Sequence, residues 1–217
     1  MIGVVIPAHN EELLLEGCLA SLARAARHPS LQGEEVRVLV VMDDCSDGTE
    51  HVARAWGVST LRLEARNVGQ ARARGCEWLL ARGARWLANT DADSHVRLDW
   101  LVAQLGLEAD AVCGVVEVAD WSPHSVHVRR RYESAYQDAD GHSHIHGANL
   151  GVCARAYVRA GGFLPLPAHE DVALVEALRR TGARIAWSAR PRVFTSARGD
   201  PRARGGFGDY LHSLAAE

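Results

Sequence analysis

Between Ile2 and Leu107 the chain four times sets a short apolar run ahead of a segment whose apolar residues recur at helical spacing, and no other feature limits the fold as strongly. Ile2–Ala8, an apolar run stopped by Pro7, has the length and composition expected of a buried parallel strand, and Val36–Met42, Ser59–Leu63 and Arg85–Ala88 read as the next three strands. After the first run, Asn10 offers an N-cap and Glu11 and Glu12 suit the positive end of a helix dipole. Leu15, Cys18, Leu19 and Leu22 then follow at i, i+3, i+4 and i+7, in a helix that must finish before Pro29. Thr49–Trp56, Val68–Ala81 and Leu98–Leu107 read as the next three helices. Strands and helices alternating at such short intervals imply an α/β fold: a mostly parallel, doubly wound sheet with helices on both faces and ligands beyond the carboxyl ends of the strands.

Past Ala111 the pattern loosens. Val112–Val118 reads as a strand, Val126–Gln137 as a helix, and Gly141–Gly151 as a stretch rich in His, Asn and Gly. A helix over Glu170–Arg180 and strand candidates at Arg184–Trp187 and Val193–Thr195 precede a tail, Arg198–Gly208, of Gly and Arg. A length of 217 residues fits one domain with two lobes better than tandem domains.

All 24 residues in the Lys+Arg count are Arg. With no Lys there is no Walker-type phosphate lysine, no Schiff-base lysine and no lysine general base. A net charge of −3 gives no general attraction to polyphosphate backbones, so no nucleic-acid partner is expected. The five Cys are scattered, odd in number and never arranged as C-x-x-C, which fits reduced, mostly buried thiols. No apolar run approaches the roughly 20 residues needed to span a bilayer. The start Met1-Ile2-Gly3-Val4 lacks the basic flank of a signal peptide, and a cytoplasmic location is expected.

Three acidic clusters fall where this topology places ligand loops: Asp43-Asp44, Asp91-Ala92-Asp93 and Glu170-Asp171. A lone D-x-D is usually a turn or a helix cap. Here it follows an apolar strand and the pair Asn89-Thr90, where alternate carboxylates suit a hard divalent cation that keeps positions open for phosphate oxygens. The ordered set Val5-Ile6-Pro7-Ala8-His9-Asn10-Glu11-Glu12, Asp43-Asp44-Cys45-Ser46-Asp47-Gly48-Thr49, Asn67-Val68-Gly69 with Arg74, and Thr90-Asp91-Ala92-Asp93-Ser94 resembles family 2 glycosyltransferases. Gly147-Ala148-Asn149, Gly161-Gly162-Phe163 and Glu170-Asp171 look like that family's later, acceptor-side signatures.

The resemblance implies a GT-A-like fold in a single domain. Residues 1 to about 95 would bind the nucleotide sugar, about 96–197 the acceptor, and 198–217 would be a flexible C-terminal segment. It also implies a nucleotide-diphospho-sugar donor, a Mg²⁺ or Mn²⁺ ion and inversion at the anomeric carbon. Pro7, Ala8, His9, Asn10, Glu11 and Asp44, with Asp43 as the alternative, would meet the nucleoside. Carboxylates suit that contact because they only accept hydrogen bonds, and both uracil and guanine offer donors. Asn67 and Arg74 would also face the donor, and Arg202 or Arg204 would close on its diphosphate. Asp93 would bind the metal directly, and Asp91 would act through the metal's water or the donor sugar.

On the acceptor side the resemblance implies Asp171, with Glu170 as its partner, for the general base, and His146, Asn149 and His169 for the pocket. His142, His144 and His146 alternate, and a structural or hydrogen-bonding role is favoured over a metal site. Two departures bear on the reading. Phe194-Thr195-Ser196 stands where many relatives carry a metal-side His, and the Gln-x-x-Arg-Trp signature of processive members is absent. The expected protein is soluble, makes at most peripheral membrane contact, and adds one sugar to a saccharide, lipid-linked or small-molecule acceptor. The rival readings are a sugar-nucleotide pyrophosphorylase and a catalytically silent nucleotide-sugar-binding subunit.

Overall fold

In the computed structural model, which describes residues 1–198 and 207–216, eight strands form one sheet. They are β1 (Ile2–Ala8), β2 (Val36–Asp43), β3 (Ser59–Leu63), β4 (Trp86–Asn89), β5 (Ser94–Val96), β6 (Ala111–Val118), β7 (Leu150–Cys153) and β8 (Ile185–Thr195), in the order β3-β2-β1-β4-β7-β6-β8-β5. β1 pairs in parallel with β2 and β4, β2 with β3, and β6 with β8. β7 is antiparallel to both β4 and β6, and β5 to β8. β1, β2, β4 and β8 therefore run the same way, and the loops after them emerge along one edge of the sheet.

β1 shows why the sheet is covered twice. Ile2, Val4 and Ile6 enter one core and Val5 the other, as a strand with two buried faces requires. The first core takes α1 (Leu15–Ala25), α2 (Thr49–Ala55) and α4 (Trp100–Leu105); the second takes α3 (Val68–Leu80), α6 (Ala154–Ala160) and α7 (Glu170–Arg180). α5 (Val126–Ala135) packs with α8 (Phe207–Ala216) over a smaller cluster around Tyr132 and Leu211.

The expected parallel α/β layout holds, and several local expectations change. Asn10 does not cap α1: the helix opens at Leu15 and Asn10 sits at φ 55° in the loop before it, its side chain turned to Ser46. The two late strand candidates form one strand, β8, whose register against β6 shifts between Gly114 and Val115, so that Ser188 and Arg192 face neighbouring residues. Pro191, which cannot donate to the ladder, lies in the skipped segment. Inside the segment read as a flexible tail, Phe207–Ala216 is helical and Leu211 is buried. Arg202 and Arg204 lie outside the described residues.

Candidate active site

The loops after β1 and β2 are clasped together. His9 Nδ1 lies 2.7 Å from the Asp43 carbonyl, the Glu11 amide donates to Thr49 Oγ1 at 2.8 Å, and the Glu12 amide donates to Asp47 Oδ2 at 3.1 Å. In return the Gly48 amide donates to Glu12 Oε2 at 2.7 Å and the Ser46 amide to Asn10 Oδ1 at 2.8 Å. Pro7 and Ala8 end β1 directly beneath this clasp. Backbone groups outside helices and strands need such partners, most of all the buried Glu11 amide, and here each loop supplies the other's.

Asp43 and Asp44 part company. The buried Asp43 carboxylate accepts from the amides of Ala65, Arg66 and Asn67 at 2.7, 2.9 and 2.6 Å, so it folds the turn before α3. Asp44, at φ 53°, stands outside that turn and pairs with Arg66. It is the carboxylate of the two that remains presented at the sheet edge. Asn67 is also consumed, its Oδ1 capping α3 through the Gln70 amide and its Nδ2 donating to the Pro165 carbonyl. Gly69 permits this close packing, because a Cβ there would collide with the backbone of Leu164 and Leu166.

Arg74 does not reach the site: its side chain is 63% exposed and pairs with Glu77 along α3. Arg72 does reach it, two residues earlier on the buried face of α3, with a side chain only 2% exposed. Arg72 donates from Nη2 to Asp91 Oδ1 at 2.6 Å and from Nε to Glu170 Oε1 at 3.0 Å, while Nη1 has no hydrogen-bond partner among the described residues. One guanidinium thus joins the acid after β4 to the acid that opens α7. Burial pushes the Glu170 carboxyl up, against the pull of Arg72.

Asp93 stands beside Asp91 at the turn into β5. Its Oδ1 is 3.1 Å from the Ser94 hydroxyl and accepts from Thr195 Oγ1 at 3.4 Å. Thr195 thus reaches this carboxylate from the strand end where a metal-side His was missed. Arg198 donates to Glu11 Oε2 at 2.8 Å and lies 3.5 Å from Asp93 Oδ2. Burial first, then the charge of Asp91, raises the Asp93 carboxyl to about 6 even though Arg198 opposes the rise. A buried carboxylate whose charge Arg198 only partly offsets fits a hard cation. Mg²⁺ and Mn²⁺ are commonly held by one or two carboxylates with substrate oxygens completing the shell, so Asp93 and Asp91 suit either ion. Among the described residues no three His, Cys, Asp or Glu converge into an all-protein cage.

Across the cluster, Asp171 Oδ2 accepts from the Gly147 amide at 2.6 Å and Oδ1 from the Val172 amide at 2.8 Å. A carboxylate has acceptor capacity beyond these two bonds. Gly147 must lack a side chain, since a Cβ would lie 2.6 Å from Arg72 Nη2. The neighbouring His146 is held by Tyr136, whose hydroxyl is 3.1 Å from Nε2, and burial lowers its pKa to about 4, so it is neutral. His144 stacks on Tyr136 at 4.1 Å, which places the alternating histidines in an aromatic ladder.

Asn149 is not available to an acceptor. It is fully buried, accepts from Trp100 Nε1 at 2.8 Å and donates to the carbonyls of Val115 and Pro191 at 2.7 and 2.9 Å. His169 is exposed at φ 61° ahead of α7.

The Glycosyl transferase family 2 model matches residues 3–157. Solved structures with similar folds include S. aureus TarS 1-349 in complex with UDP-GlcNAc (TM-score 0.71, 14% identity, covering 98% of this chain and 64% of that one). Another is the mannosyltransferase PcManGT from Pyrobaculum calidifontis in complex with GDP-Man and Mn²⁺ (TM-score 0.69, 18% identity, covering 96% and 59%). A third is glucosyl-3-phosphoglycerate synthase from Mycobacterium tuberculosis with Mn²⁺, UDP and glucosyl-3-phosphoglycerate (TM-score 0.66, 18% identity, covering 100% and 76%). The chain spans less than two thirds of the first two proteins. No curated protein sequence matches it. No helix among the described residues is long and apolar enough to cross a membrane.

Proposed function

The chain belongs to glycosyltransferase family 2, and on that premise we propose that it transfers one sugar from a nucleotide-diphospho-sugar to an acceptor hydroxyl, with inversion, in the cytoplasm. The observation that carries this reading is the Arg72 bridge, which holds Asp91 in the same rigid cluster as Glu170 and Asp171. Inverting transfer needs the leaving diphosphate and the attacking hydroxyl on opposite sides of the anomeric carbon, and therefore two separate acidic stations. Asp93 and Asp91 serve the diphosphate side; Asp171 serves the hydroxyl side.

Asp44 and the loop from Pro7 to Glu11 receive the nucleoside, and Asp93 with Asp91 holds a Mg²⁺ or Mn²⁺ ion. When bound, that ion supplies positive charge to the departing diphosphate. Asp171, fixed by the amides of Gly147 and Val172, takes the proton from the acceptor hydroxyl with its remaining lone pairs. Arg72 holds Asp91 in orientation.

A thermal-shift screen of nucleotide sugars with Mn²⁺, followed by product analysis, tests this reading. Release of a nucleoside diphosphate together with an inverted anomer supports it. Production of pyrophosphate, or no nucleotide sugar stabilising the protein, sinks it.

A further inference from the structure

Resting on the transferase reading, we infer that the cavity between the end of β6 and α5 binds the acceptor, and that this acceptor is a saccharide bearing no phosphate or carboxylate. The cavity measures about 620 Å³, within the range of small-molecule sites. Two paths of contact tie it to the reacting groups. β6 pairs with β8 up to Val118 and Thr195, and Thr195 reaches Asp93. Tyr136 in the cavity wall bonds His146, next to the Gly147 amide that holds Asp171.

The wall is aromatic on one side. Trp121 lies 5.3 Å from Tyr132, which stacks on Tyr136 at 5.0 Å. Tyr132 is buried and Tyr136 stacks on both Tyr132 and His144, so it is the half-buried Trp121 that offers a flat apolar face to the C–H side of a pyranose, and carboxylates at the edge accept from hydroxyl groups. The edge supplies four: Glu117, Asp120, Glu133 and Asp138.

Charge decides the class. Arg129, on the wall, is paired with Glu133 at 2.8 Å, and Arg192, next to the cavity, is shared between Glu117 and Asp138. Among the described residues two guanidinium groups face four carboxylates, and there Asp120 is held by the amide and hydroxyl of Ser122. A phosphorylated or carboxylated acceptor would meet a net negative wall and would have to displace an existing ion pair to find a cation. An uncharged sugar meets neither cost.

The test is an array of uncharged glycans printed beside phosphorylated and carboxylated counterparts, probed with the full chain and with Trp121→Ala. Binding should be confined to uncharged glycans and should fall at least about tenfold in Trp121→Ala. Equal or stronger binding of the anionic counterparts, binding unchanged in Trp121→Ala, or no glycan bound would each overturn the inference. Should Trp121→Ala fail to fold by circular dichroism, Asp120→Lys at an exposed position takes its place, expected to shift discrimination toward phosphorylated glycans by about tenfold; unchanged discrimination overturns the inference. Thermal shift by UDP or GDP with Mn²⁺ on the same preparation separates the two readings. A nucleotide shift with a failed array sinks the acceptor class alone, and a missing nucleotide shift sinks the transferase reading beneath it.

Discussion

The Gly147 amide donates to Asp171 Oδ2 at 2.6 Å across 24 residues of sequence, and this bond fixes the first acid of α7 that is not already committed to a guanidinium. The proposed role of Asp171 as base rests on that difference. Glu170, the neighbour, is buried against Arg72, whereas among the described residues Asp171 is bound by neutral amides.

Asp171→Asn should lower the transfer rate on the order of a hundredfold or more while nucleotide binding and melting temperature barely change. The amide oxygen of Asn can still accept from Gly147, so the loop keeps its anchor; Nδ2 cannot accept from the Val172 amide, and losing that bond in the first turn of α7 should cost no more than about 1 kcal/mol. Steady-state kinetics with calorimetric melting checks this, and near-normal transfer by the folded variant would move the base elsewhere.

Arg72 and Arg74 should behave oppositely. Removing Arg72 leaves Asp91 and the buried Glu170 without their shared cation, a loss in the range of about 3–5 kcal/mol. Arg74→Ala, on the exposed face, should stay within about 0.5 kcal/mol and leave transfer intact. Urea unfolding of both variants reads the contrast directly, and equal effects would mean the bridge is not what holds the cluster.

Asp93 carries a pH signature. Its carboxyl lies at about 6 in the fold against 3.8 for a free side chain. Between those values the folded chain keeps a proton that the unfolded chain has lost, so stability falls as pH rises from about 4 to about 6. Asp93→Asn removes that cost. Without added metal the variant should match the wild type near pH 4 and exceed it at pH 7, while Mn²⁺-dependent nucleotide binding is abolished. Denaturant titrations at several pH values would expose a flat difference if the assignment is wrong.

Asn149→Ala should act on stability and not on acceptor affinity. It strands the Trp100 indole N–H and the carbonyls of Val115 and Pro191 in the interior, and each unsatisfied buried group costs about 1–3 kcal/mol. A large drop in melting temperature with unchanged acceptor KM is expected, and the reverse pattern would restore Asn149 to the pocket.

The parallel strands were legible because β1, β2 and β4 carry buried apolar residues in runs separated by helices, with β3, the half-exposed edge strand Ser59–Leu63, set between two of those helices. β7 and β5 were not, since Leu150–Cys153 is four residues in a Gly-rich stretch and Ser94–Val96 three beside the acidic turn. Arg72 was missed although a signal existed. Gly69, Arg72, Cys76 and Leu79 fall at helical spacing on the buried face of α3, so a cation among them has to be paired, whereas Arg74 points the other way. Nothing local distinguishes the buried Asn149 from a pocket residue, because its three partners come from α4, β6 and β8, far away in sequence. Asp43 likewise declares its structural task only when the turn at residues 65–67 is folded over it.

The Arg72 bridge also sets a rule for recombination. A chimaera that joins the strands carrying Asp91 to the late helix of another protein would bury a guanidinium whose second carboxylate is supplied by the graft. Grafts with an acid in the place of Glu170 should be accepted as a unit; grafts without one should be rejected by the host interior, whatever the sugar chemistry they bring.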